Sequence, residues 1–140
     1  MKASLQPGVS RVNRISVAPG RTISFMGDEG RVYATPWMVG DMEYTCRDLL
    51  IAHSDAGEDS VGIEVVVKHL APTLPGMTVE ITARVAAVEG RKVTFDVVAR
   101  DELEEVGRGT HTRFVVDVGK TIQHLKAKAA KLAEQARVAK

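Results

Sequence analysis

One stretch limits what this chain can become more than any other. From Pro36 to His53 the sequence has helical texture, and Trp37, Met38, Val39, Met42, Tyr44, Cys46, Leu49, Leu50 and Ile51 spread its apolar positions round much of the circumference. A helix apolar on several sides is one that other elements cover. Thr35-Pro36 in front of it reads as a hydroxyl N-cap followed by proline at the first helical position, where the lost N–H costs nothing.

The covering elements come from the rest of the chain. After a polar loop at Asp55 to Asp59, β-branched residues recur at short spacing. Ile63 to Leu70, Met77 to Val88, Arg91 to Arg100 and about Val106 to Val118 read as strands. Glu89-Gly90 turns the second into the third as a hairpin, and Asp101 to Glu105 leads into the fourth. Ahead of the helix, Val9 to Val17 and Arg21 to Phe25 have extended character, divided by Pro19-Gly20. Hairpins together with one long buried helix predict an α+β domain, an antiparallel sheet packed on a single long helix, an order that more than one α+β fold shares.

A length of 140 residues suits one core. The net charge of +1 is uneven: from Gly119 onward six bases face only Glu134, a net of +5, which leaves −4 for the body. There Ile122, Leu125, Ala129, Leu132 and Ala136 recur at helical spacing. The chain is therefore expected to divide into a domain at 1–118 and a basic amphipathic C-terminal helix at 119–140 that docks on something. With 4% aromatic residues and no recognition motif, nucleic acid is not the expected partner.

Cys46 is the only cysteine, which excludes an intrachain disulfide and a cysteine-rich zinc site and fits a reducing compartment. Met1 to Arg14 lacks the apolar stretch of a signal peptide, and no run reaches the roughly 18 apolar residues of a membrane span. A cytoplasmic protein with no membrane partner is expected. No histidine–carboxylate cluster has metal-ligand spacing, so no metal is expected. Gly107 and Gly109 do not lead from a strand into a helix and are not a phosphate loop.

The chemistry concentrates on three residues. Glu43 is an acid among apolar helix neighbours, and ionising it there needs a compensating partner. His69 ends an apolar strand run. Thr35 stands eight residues before Glu43, about 12 Å of helix rise. Helical side chains lean toward the N-terminus, which brings the two groups to within roughly 7 to 9 Å. One imidazole could bridge that gap through both ring nitrogens. A hydroxyl–imidazole–carboxylate relay of this kind suits acyl transfer. A second mechanism is equally open, with Glu43 attacking the acyl carbon or activating water while Thr35 and His69 position the substrate. Asp41, Arg47 and Asp48 are expected in solvent, His111 and Arg113 as a surface pair on one strand face, His53 and His124 exposed, and Cys46 in the core.

Several blocks recur together. Ala34-Thr35-Pro36-Trp37-Met38-Val39-Gly40-Asp41-Met42-Glu43 is followed by Ser60-Val61-Gly62, then by Lys68-His69 with Leu74-Pro75-Gly76-Met77, and finally by Gly109-Thr110-His111-Thr112-Arg113. This set, spanning about Thr22 to Val118, resembles the fluoroacetyl-CoA thioesterase-like branch of the hotdog-fold acyl-CoA thioesterases. The resemblance implies the hotdog fold and hydrolysis of an acyl-CoA thioester without metal or cofactor. It also implies a homodimer, or a tetramer built from it, with sites near the subunit interface. Thr35, Glu43 and His69 match the family's catalytic threonine, glutamate and histidine. Gly62 matches a glycine lining the site, and Arg113 an arginine near the catalytic histidine.

One departure narrows the expectation. Members specialised for fluoroacetyl-CoA have an aromatic lid before the threonine, whereas Phe25 to Tyr33 here is short, glycine-containing and charged. The expected substrate is another short or medium acyl-CoA. The alternative from a different class is a noncatalytic acyl-CoA-binding or sensor protein on the same fold.

Overall fold

The structure is a computed structural model and describes residues 1–139. Its elements are β1 (Ser10–Ser16), α1 (Thr35–Ile51), β2 (Glu58–His69), β3 (Thr78–Glu89), β4 (Lys92–Arg100), β5 (Glu105–Asp117) and α2 (Val118–Val138). All neighbouring strands are antiparallel, in the order β1-β3-β4-β5-β2. The sheet packs on α1, the hotdog arrangement.

Strand alternation decides which side meets the helix. On β4, Val93, Phe95, Val97 and Ala99 are buried, and on β3 Val79, Ile81, Ala83 and Val85. They close on Met38, Met42, Cys46, Leu49 and Leu50 of α1. Each large aliphatic side chain buried there stabilises the fold by about 1.5 to 3 kcal/mol, more than the roughly 1 kcal/mol that Gly40 costs the helix. Gly107 on β5 lets α1 sit low on the sheet, because a Cβ there would lie 2.6 Å from Met38 Sδ.

Two expectations are corrected. Trp37, Tyr44 and Ile51, spaced seven apart along α1, stay exposed, because one sheet covers only one side of the helix. Arg21 to Phe25 is not a strand. Pro19–Arg21 forms a 3-10 turn closed by the Arg21 N–H donating to the Ala18 carbonyl, and Thr22 makes an isolated bridge to Tyr33. Helix α2 buries no residue against its own domain, although Asp117 caps it by accepting from the Lys120 N–H. Among the described residues, no helix is long and apolar enough to cross a membrane.

Candidate active site

Helix α1 begins one residue earlier than the sequence suggests. Ala34 is the N-cap, Thr35 is the first helical residue, and no side chain caps the helix. The Thr35 hydroxyl is thus not spent on the backbone. Oγ1 lies 2.7 Å from Nδ1 of His69, the last residue of β2. The other ring nitrogen, Nε2, is buried and has no hydrogen-bond partner among the described residues. Burial holds the His69 pKa below the ordinary histidine value, with the Ala71 backbone acting in the opposite direction. The contact serves either neutral form of the ring: Nδ1 donates to the hydroxyl in one tautomer and accepts its proton in the other, and the second has the polarity a general base requires. The Tyr33 ring meets His69 edge-on, with centroids 6.3 Å apart.

The pair opens into a groove of about 390 Å³ lined by Ile23, Phe25, Val32 and Leu70 among others. Phe25 lies at the open rim of that groove, 82% exposed.

Glu43 belongs to a different cavity. With Ser60, Gly62, Arg47 and Arg113 it lines a space of about 640 Å³, and neither Thr35 nor His69 contributes to that wall. Eight helical residues turn the side chain by about 80° as well as lifting it about 12 Å. The expected bridge of one imidazole between Thr35 and Glu43 is therefore not formed within one chain. Glu43 makes no hydrogen bond or ion pair among the described residues. Gly62 keeps the floor open, since a Cβ there would stand 3.1 Å from His111 Cε1, 3.6 Å from an Arg113 Nη and 3.6 Å from Glu43 Oε1.

Two groups expected in solvent are inside. Asp41 is 7% exposed, receives Arg21 Nη1 at 2.7 Å on each oxygen, and accepts from the Tyr33 hydroxyl. Burial, then Asp41, pushes the Tyr33 pKa well up, which keeps the phenol a donor. Arg21 also lies 4.7 Å over the Trp37 ring. Asp41 follows Met38 by three residues and precedes Thr45 by four, so the helical repeat of the buried face could have found it. His111 and Arg113 are buried as well, at 1% and 7% exposure. Arg47 is paired with Asp59, Nη2 to Oδ2 at 2.7 Å, and Asp48 accepts from Asn13 Nδ2. Cys46 is buried, as expected, and its thiol is pushed up to about 12, chiefly by burial.

Residues 17–119 match the family model described as fluoroacetyl-CoA-specific thioesterase. The chain is 35% identical over 127 residues to the fluoroacetyl-CoA thioesterase of Streptantibioticus cattleyicolor, covering 86% of this chain and 91% of that one. A threonine-to-serine mutant of fluoroacetyl-CoA thioesterase in complex with acetyl-CoA superposes with TM-score 0.81 at 34% identity, covering 89% and 98% of the two chains. A hot-dog-like protein from Thermanaerovibrio acidaminovorans shares the fold at TM-score 0.80 and 24% identity, over 87% and 91%.

Proposed function

The chain belongs to the fluoroacetyl-CoA-specific thioesterase family, and from that premise we propose that it hydrolyses a short or medium acyl-CoA thioester in a site shared between two copies of the chain. The observation that carries this reading is the 2.7 Å approach of an exposed, uncommitted threonine hydroxyl to a histidine nitrogen. Glu43, Gly62 and Arg113 supply the other half.

The division of the site between two cavities supports the homodimer. β2 is a twelve-residue edge strand on which Val61, Ile63 and Val66 are exposed, an edge that invites pairing. Two copies of β2 paired antiparallel about a two-fold axis set the Ser60 to Gly62 end of one strand beside the His69 end of the other. Thr35 and His69 then face Glu43 and Arg113 of the partner subunit across one cleft.

In the proposed reaction His69 Nδ1 takes the Thr35 proton as Oγ1 attacks the thioester carbon. The C–S bond breaks, and the departing CoA sulfur receives that proton. Glu43 then removes a proton from water as the water oxygen attacks the acyl-threonine carbon; the acyl–Oγ1 bond breaks, Oγ1 receives that proton from Glu43, and the acid departs. That Glu43 has no partner among the described residues also favours a second reading, direct activation of water on the thioester.

Mass spectrometry of a rapidly quenched Glu43→Gln variant separates the two. An acyl adduct on Thr35 is expected; its absence, with substantial turnover kept by Thr35→Ala, selects direct hydrolysis. A broad acyl-CoA panel that gives binding without thiol release leaves only the sensor reading. Because Phe25 to Tyr33 forms no closed aromatic cover, fluoroacetyl-CoA gains no special preference. Discrimination from acetyl-CoA by several orders of magnitude in kcat/KM overturns that part.

A further inference from the structure

Behind Gly62, the buried pair of His111 and Arg113 has a hydrogen-bond pattern with a single chemical solution. His111 Nδ1 is 2.8 Å from the Glu64 carbonyl oxygen, and Nε2 is 3.1 Å from Arg113 Nη1. A carbonyl oxygen only accepts, and a guanidinium nitrogen only donates. Both contacts are satisfied by one form of the ring, the neutral imidazole with its proton on Nδ1. The cation sets an N–H against an N–H, and the other neutral tautomer fails at both contacts.

The surroundings hold the ring in that pose. Phe95 of β4 stacks on it at a centroid distance of 6.5 Å and an angle of 27°. A bulge of β2 between Gly62 and Glu64 lies alongside. The charged groups acting on the ring are Arg113 on its own strand and Glu43 on α1. Burial first, and then Arg113, holds its pKa below the ordinary histidine value, against the Glu64 carbonyl and Glu43.

Arg113 completes its bonds on Ser60, with Nε donating to Oγ at 2.7 Å and Nη2 to the carbonyl at 2.8 Å. Its direct acceptors are thus all neutral, and no carboxylate forms a salt bridge with it among the described residues. A buried guanidinium held this way keeps its charge for whatever enters the cavity.

We propose that His111 is the positioning residue of this site: its Nε2 lone pair aims the Arg113 guanidinium at the substrate beside Gly62 and Glu43. The inference rests on the reading of Arg113 as a substrate-binding group. His111 itself touches no substrate, since it lies beneath Gly62.

Two variants divide the ring's two bonds. The amide of His111→Asn can replace the Nδ1 donor to Glu64 but offers nothing at the position of Nε2. His111→Gln can place its carbonyl oxygen near Nε2. At equal folded fraction, His111→Asn should lower kcat/KM for acetyl-CoA at least about tenfold, mainly through KM, as expected for losing a bond to a charged group. His111→Gln should stay within about threefold of wild type. Equal kinetics in the two variants overturn the proposal.

Nitrogen-15 NMR of the wild-type imidazoles provides a readout apart from activity. A protonated Nδ1 with a bare Nε2 at neutral pH is expected for His111, and a protonated Nε2 overturns the proposal whatever the kinetics. If Arg113→Gln keeps full kcat/KM while the NMR pattern holds, the substrate role of Arg113 fails, and the positioning role fails with it, although the tautomer assignment stands.

Discussion

Thr35 Oγ1 stands 2.7 Å from His69 Nδ1, and neither atom has a second hydrogen-bond partner among the described residues. The hydroxyl starts α1 without capping it, so its removal takes nothing from the helix backbone. Thr35→Ala should therefore leave stability within about 0.5 kcal/mol of wild type, as for a surface change that removes no cap. Its kcat should fall at least about 100-fold, as should that of His69→Ala. Thermal melts beside steady-state kinetics check this, and near-wild-type turnover removes the altered residue from the mechanism.

Arg21 neutralises a carboxylate that lies inside the fold. Arg21→Ala leaves Asp41 with only the Tyr33 hydroxyl, and should destabilise by about 2 to 4 kcal/mol, below the full figure for a buried pair because Arg21 is partly exposed. Chemical denaturation measures it. A loss under about 0.5 kcal/mol means that water already solvates Asp41.

His69 and His111 both have lowered pKa values in the folded chain. The unfolded chain thus binds their protons first as pH falls, so stability is full above the ordinary histidine value of about 6.5 and declines below it, until the folded values are passed. Melting temperature should fall between about pH 7 and 5, and His111→Gln should flatten that slope. The carboxylates of Glu58, Asp59 and Glu105, all lowered by their basic partners, add their own loss only at more acidic pH. An unchanged slope in the variant removes His111 from this account.

Helix α2 hides none of its apolar residues, with Leu125, Leu132 and Val138 at 60%, 68% and 75% exposure. Deleting residues 119–140 should shift the melting temperature by no more than about 2 °C, since surface changes of this kind stay near 0.5 kcal/mol. Calorimetry of the full and shortened chains decides it. A larger drop, together with a smaller particle in light scattering, shows that another copy covers the helix.

The elements formed by local periodicity were legible in the amino-acid order. The hairpin at Glu89-Gly90 and the strands around it lie within a residue or two of expectation, and so does the helix that carries Thr35 and Glu43. Alternation and helical repeat are properties of neighbours along the chain, and Gly90, at φ of +64°, is a local requirement too. The family blocks added the reaction.

Which side of each element is covered was decided only by tertiary structure. Asp41 sits on the face that the helical repeat marks, but the Arg21 guanidinium that neutralises it there comes from outside the helix, beyond the reach of that repeat. His111 and Arg113 are buried in succession with Thr112 because β4 and β2 flank β5 and α1 lies over it, so simple alternation fails there. Along α1, the eight-residue interval placed Thr35 and Glu43 on one helix but could not show that the turn between them directs the two groups into separate cavities. Burial and pairing depend on what the fold brings from far along the chain, and no local pattern encodes that.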